Sequence, residues 1–181
     1  MVENKPLDEL LSEVFENVNN WLNFAEAKNA ANIALVIASI AAIVSYNEIN
    51  CFLYLVSLFF ILSGIFSMLS FLPKLTGKSK IRKILDCITS CLKKDTTEEN
   101  LLFFEDIKKY SKEEYVKKIN EVYYNYSDKQ ITKYQLDLSN EIIYNSYIAS
   151  LKYWLFKIAI LLDIIAFLLS AIGIVINIFF K

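Results

Sequence analysis

Three long apolar runs leave this chain few folds to choose from. They cover about Ala30 to Tyr46, Cys51 to Leu72 and Ile158 to Phe180, against the roughly 20 residues, range about 17 to 25, that a membrane-crossing helix needs. Soluble core helices are rarely so apolar for so long. The third run carries a carboxylate, Asp163, and an ionisable group inside such a span is costly to insert, which makes it a candidate for function.

The remainder is polar. The chain is 55% hydrophobic yet keeps 22% charged residues, almost all of them outside the three runs. The first 29 residues set Lys5 and Lys28 against Glu3, Asp8, Glu9, Glu13, Glu16 and Glu26. That start lacks the basic opening and early apolar stretch of a signal peptide, so the first span is expected to stay in the mature protein. Orientation follows the cations that flank spans. The loop Asn47 to Asn50 has none, whereas Lys74, Lys78, Lys80, Arg82 and Lys83 follow the second run and Lys152 and Lys157 precede the third. The N-terminus and the segment between spans two and three are expected in the cytoplasm, with the C-terminus outside.

The pattern predicts an all-α membrane protein in four parts. Residues 1–29 form an amphipathic helix leading into the membrane, 30–72 a hairpin of two spans, 73–156 a helical cytosolic sensing and coupling unit, and 157–181 a third span continuous with a long cytosolic helix. Leu7, Leu11, Val14, Val18, Trp21 and Ala25 recur at helical spacing, and one helix from Pro6 to Tyr46 is expected. Ala30, Ala34, Ala38 and Ala42 make a ladder of small residues suited to close helix approach, and Ser63, Ser67 and Ser70 offer a similar face beside Gly64. Packing of the two helices as a hairpin explains both faces; a pore lining is the alternative.

Ile81, Ile84, Leu85, Ile88 and Leu92 mark an amphipathic helix carrying Lys78, Lys80, Arg82 and Lys83. That basic patch suits anionic headgroups at the membrane surface, and equally packing on other cytosolic helices. Thr96 with Glu99, Ser111 with Glu114 and Ser127 with Gln130 have capping-box spacing. Helices are expected near 97–109, 112–126 and from 128 onward, the last running into span three. At seven-residue spacing this helix aligns Ile142, Ala149, Phe156, Asp163, Ser170 and Asn177, with Ala166 in the neighbouring register. Asp163, Ala166, Ser170 and Asn177 should face protein or water rather than acyl chains. The preferred reading is a face that contacts other copies, the alternative a conducting path. Lys157 is out of register for a same-helix pair with Asp163.

Catalysis finds little support. The chain has no histidine, no glycine-rich phosphate loop, no metal-ligand cluster and no nucleophile in a recognisable setting, so no cofactor is expected. Cys87 and Cys91 share a helix face, but zinc would need two further ligands.

Three stretches carry a likeness to a known family. They are Trp21 to Ala30 before the first span; Asn100 to Ile107 with Tyr110, Ser111, Glu113, Glu114 and Tyr115; and Asp137, Leu138, Ile142, Ser146, Ile148, Lys152 and Tyr153 before the third. In these the chain resembles the Pycsar transmembrane effectors of bacterial antiphage defence, over about Leu10 to Ile174. Glu105 stands where the family usually has a small residue, and Glu141 where it usually has glutamine. The resemblance implies an effector in the bacterial inner membrane, quiet until a partner cyclase or nucleotidyltransferase makes a cyclic nucleotide. It would then oligomerise, impair the membrane and abort the infection. No nucleic-acid partner is implied.

A sensor of an anionic nucleotide needs cations for phosphate and aromatic faces for the base. Phe103, Phe104, Tyr110, Lys108 and Lys109 supply both, while Asn100, Glu105 and Asp106 could bond a base edge. Asn100, Phe103, Phe104, Asp106, Lys108 and Tyr110 are therefore the candidate ligand residues. Ordinary core packing and solvated lysines are the plainer reading of the same positions. At the level of function, a non-lethal membrane adaptor recruiting a cytosolic partner and a small regulated ion channel are the alternatives.

Overall fold

The computed structural model describes residues 5–45, 51–72, 99–125 and 131–179. Within them every element is a helix: α1 (Leu7–Val44), α2 (Cys51–Leu69), α3 (Phe104–Ile107), α4 (Lys112–Tyr124) and α5 (Lys133–Phe179). Helices α1, α2 and α5 are each long and apolar enough to cross a membrane. The protein is an all-α, multi-pass membrane protein.

Two of these helices are far longer than a bilayer requires. At 1.5 Å per residue, the 38 residues of α1 and 47 of α5 extend about 57 and 70 Å, against a hydrocarbon core of about 30 Å. Neither contains proline, and Gly173 is the single glycine in the pair, so nothing local interrupts them. Each crosses the membrane and continues beyond it.

The projecting halves build one core. Leu7, Leu11, Val14 and Val18 of α1 meet Ile107 of α3, Tyr115, Val116 and Ile119 of α4, and Ile142 and Ala149 of α5. A separate core lies between the spans, where Val36, Val56, Phe60 and Ala166 are buried with Ile40, Phe52 and Leu169 beside them. The amphipathic stretch that leads α1 into the membrane thus supplies one wall of the extramembrane core. Both cores share α1 and α5 as common walls.

Close helix approach occurs at two glycines. A Cβ on Gly173 would stand 2.4 Å from the Phe52 ring, and one on Gly64 3.2 Å from Val36. The alanine ladder behaves otherwise: Ala30, Ala34, Ala38 and Ala42 are all exposed on the outside of the bundle. Asn29, Asn32 and Val36 occupy the inner face instead. Lipid accepts alanine but not an unpartnered amide, so the asparagines set the rotation of α1. On α2 the expected serine face is inward, with Ser63, Ser67 and Ser70 buried.

The helix starts confirm one cap and correct two boundaries. Ser111 and Glu114 form a complete capping box at the start of α4, and Asn125, in the left-handed region at φ 54°, closes that helix. Helix α5 begins at Lys133 rather than 128. There Gln135 N–H donates to Thr132 Oγ1 at 3.2 Å and Thr132 N–H to Gln135 Oε1 at 3.0 Å. The helix expected over 97–109 is reduced to the four residues of α3 flanked by turns. Ser127, Gln130, Thr96, Cys87, Cys91 and the basic patch Lys78, Lys80, Arg82 and Lys83 lie outside the described residues.

Candidate functional site

The turn before α3 exists because two side chains capture backbone amides. Asn100 Oδ1 accepts the Leu102 N–H at 2.9 Å, and the Asn100 N–H donates to Asp106 Oδ2 at 3.1 Å. Such local bonds offer the backbone an alternative to helix. Burial opposes ionisation of Asp106, but its bonds to Lys109 and the Asn100 amide prevail and hold the carboxyl below its usual range. Tyr115, fully buried on α4, donates its hydroxyl to Leu101 O at 2.8 Å and pins the turn from beneath.

This turn presses Phe103 and Phe104 into the junction between α1 and α5. The Phe104 ring stacks on Tyr153 with centroids 5.4 Å apart and lies 5.8 Å from Trp21 and 4.6 Å from Phe103. Around the rings runs a polar belt. Lys152, nearly buried on α5, reaches Glu26 of α1 at 2.6 Å, and Asn29 Nδ2 donates to Lys152 O at 3.3 Å. Lys28 sets its ammonium 4.5 Å from the Phe24 ring and 5.2 Å from Tyr153. On the other flank, Glu105 accepts from Lys108 at 2.6 Å and from Ser150 Oγ at 2.7 Å. The result is a collar at the membrane boundary that joins α1, α3 and α5.

One helical turn further into the membrane lies a second polar cluster. Asn32 Nδ2 donates to Ser63 Oγ and Ser67 Oγ, each at 3.0 Å, tying α1 to α2. Asp163 of α5 is 2% exposed, and Asn32 and Ser63 are the side chains that face it. Neither is in hydrogen-bonding geometry with it, and both Asp163 oxygens and Asn32 Oδ1 are buried without a partner.

The model of a family described as the Pycsar effector protein domain matches residues 10–177. The chain belongs to that family. No curated protein and no solved structure matches it. As a Pycsar effector it is a membrane effector of antiphage defence, which is consistent with a place in a cyclic-nucleotide signalling pathway. The three stretches that carried the resemblance are far apart in sequence, yet Trp21, Glu26, Phe103, Phe104, Lys152 and Tyr153 bring them together at the collar.

The residues expected to hold a ligand are gathered on one short segment, but several already have partners within the Pycsar effector chain. Phe104 and Asp106 are buried, and Asn100 and Asp106 shape the turn. Lys108 is held by Glu105 and Ser150. Tyr110 donates to Glu99 Oε2 at 2.6 Å, and burial together with that carboxylate pushes its phenol up to about 12. Phe103 keeps part of its ring open.

Asp163 and Ala166, expected to meet other copies, are buried inside the protomer against α1 and α2. Ser170 is half-buried and bonds its own helix at Ala166 O; the side chain of Asn177 lies outside the described residues. Sequence reasoning passed over Asn32 and Asn29, although an amide in or beside an apolar span is itself a signal of inward orientation.

Proposed function

We propose that this Pycsar effector responds to a cyclic nucleotide on its extramembrane unit, which lies in the cytoplasm with the N-terminus, and answers by oligomerising and impairing the bacterial inner membrane. The observation that carries this reading is the pair of unbroken helices shared by the two cores. Any change in how α3 and α4 pack on α1 and α5 acts on the same rods that enclose Asp163. The nucleotide docks on the segment from Asn100 to Tyr110, with Phe103 against the base. Its phosphate competes with Glu105 for Lys108, and that competition frees Ser150 on α5. The collar then loosens, and α5 turns the face of Asp163, Ala166, Ser170 and Asn177 towards neighbouring copies.

The described conformation is in this reading the quiet one, because its polar membrane groups are hidden from lipid and from other protomers. The ligand must bind the two packings unequally. Moving a population from 1:99 to 99:1 takes a preference of about 5.5 kcal/mol, which a few charge-assisted hydrogen bonds can supply at about 1.5 to 3 kcal/mol each.

Expression in bacteria with and without the cyclase that makes the messenger, read by a membrane-potential dye during infection, tests the proposal. Depolarisation only when both are present supports it. Unchanged potential alongside messenger production makes the chain an adaptor or anchor instead.

A further inference from the structure

We propose that Asp163, with Asn32 and Ser63, forms an intramembrane binding site for one monovalent cation, either a proton or a sodium ion. The site does not depend on which nucleotide, if any, the extramembrane unit binds.

Three acceptor oxygens, both of Asp163 and Oδ1 of Asn32, are buried without hydrogen-bond partners at the place where α1, α2 and α5 converge. A carboxylate left unpaired in hydrocarbon costs several kcal/mol, so the group is neutralised by something. Described cationic side chains are poorly placed to do it. Lys28 is engaged with aromatic rings and Lys152 with Glu26. Lys157 is exposed and sits six residues, about 9 Å, along α5. The groups facing Asp163 from α1 and α2, Asn32 and Ser63, are neutral.

The donor set selects the occupant. Among the described residues the cluster offers oxygens: the carboxylate, the Asn32 carbonyl, and the Ser63 and Ser67 hydroxyls, which keep lone pairs while accepting from Asn32. Oxygen-only sites suit hard cations. A single positive charge balances the single carboxylate, whereas a divalent ion would leave a net charge in hydrocarbon with too few anionic ligands. Depth permits exchange with water. Asp163 lies about 9 Å beyond Lys157 and Asn32 about 6 Å beyond Lys28, both towards the side that carries the extramembrane unit. An occupant drawing Asp163, Asn32 and Ser63 together holds three spans in the closed bundle.

The test uses the full chain in detergent micelles and dicyclohexylcarbodiimide, which modifies protonated carboxyls in apolar surroundings, with mass spectrometry of the Asp163 peptide. Modification should occur at acidic pH and decline as pH rises. If sodium is the occupant, sodium chloride suppresses it relative to choline chloride at equal ionic strength, to about a hundredth when sodium is 100-fold above its dissociation constant. Sodium-indifferent labelling that still declines with pH assigns the site to a proton. The melting temperature of wild type should depend on the same cation, and that dependence should vanish in Asp163→Asn. Ser63→Ala keeps the carboxylate and should shift the cation concentration that gives half-protection. Labelling indifferent to both pH and sodium overturns the proposal. So does an absence of labelling together with wild type and Asp163→Asn melting alike under every cation condition.

Discussion

Replacing Phe104 by alanine should unfasten the collar. The ring is 4% exposed and touches three others, from α1, from α5 and from the preceding residue. Truncating a buried phenylalanine costs about 3 to 5 kcal/mol through lost transfer energy and the cavity left behind. Each aromatic pair adds about 0.5 to 1.5 kcal/mol beyond area burial, which places Phe104 towards the upper part of that range. A unit with about 5 to 15 kcal/mol of total stability loses a large fraction of it. Trp21 reports the change directly, since its ring lies against Phe104. In a Trp154→Phe background it is the remaining tryptophan of the two in the chain. A urea titration in detergent, followed by Trp21 fluorescence, should show the extramembrane transition shifting to much lower denaturant. Phe104→Leu, which keeps most of the volume but loses the three ring contacts, should cost less than the alanine variant. A loss below about 1 kcal/mol for the alanine variant would refute the packing argument, because a ring contributing so little is not buried between the two long helices.

Asn32→Ala removes two bonds between α1 and α2, and at about 0.6 to 1.7 kcal/mol for each such bond in a membrane it should cost about 1 to 3 kcal/mol in a denaturing-detergent titration; an unchanged midpoint counts against the amide as the tie. Gly173→Leu drives a side chain into the Phe52 ring, so the variant should melt earlier than wild type, and Phe52→Ala added to it should restore part of the loss; absence of rescue would show that the contact is not the cause. Asp106 ionises more readily in the folded chain than in the unfolded one. Its stabilisation is therefore present above about pH 3.9 and lost as pH falls through the depressed folded value. Trp21 fluorescence against pH should show an acid transition in that window that Asp106→Asn removes.

The spans were legible because hydropathy over twenty residues reports one dominant physical constraint, the cost of polar groups in hydrocarbon. The continuity of α1 and α5 was legible for a related reason, the lack of proline and the single glycine along them. The segment from 99 to 110 was not. Its composition favours helix, and the competing bonds of Asn100 and Asp106 to backbone amides depend on a fold-back that no local spacing announces. The start of α5 at Lys133 rests on Thr132 and Gln135, and on the bond of Gln135 to Asp8 of α1 at 2.7 Å, a tertiary contact that spacing along the chain does not announce. The rotation of α1 is masked by a repeated alanine pattern, whereas the burial costs of Asn29 and Asn32 decide which face turns inward. The collar could not be read at all from spacing, since Trp21, Phe104 and Tyr153 meet only when the two long helices lie side by side.

In the proposed mechanism, nucleotide binding outside the membrane reaches the spans through this collar. Purified protein in dye-loaded vesicles, challenged with a panel of cyclic nucleotides, measures it most directly. One nucleotide should release dye from wild-type vesicles, and Lys152→Met, which cuts the Glu26 tie between α1 and α5, should bind that nucleotide with little change while releasing far less. Wild-type vesicles that bind a nucleotide and stay sealed, or collar variants that leak as wild type does, would contradict it.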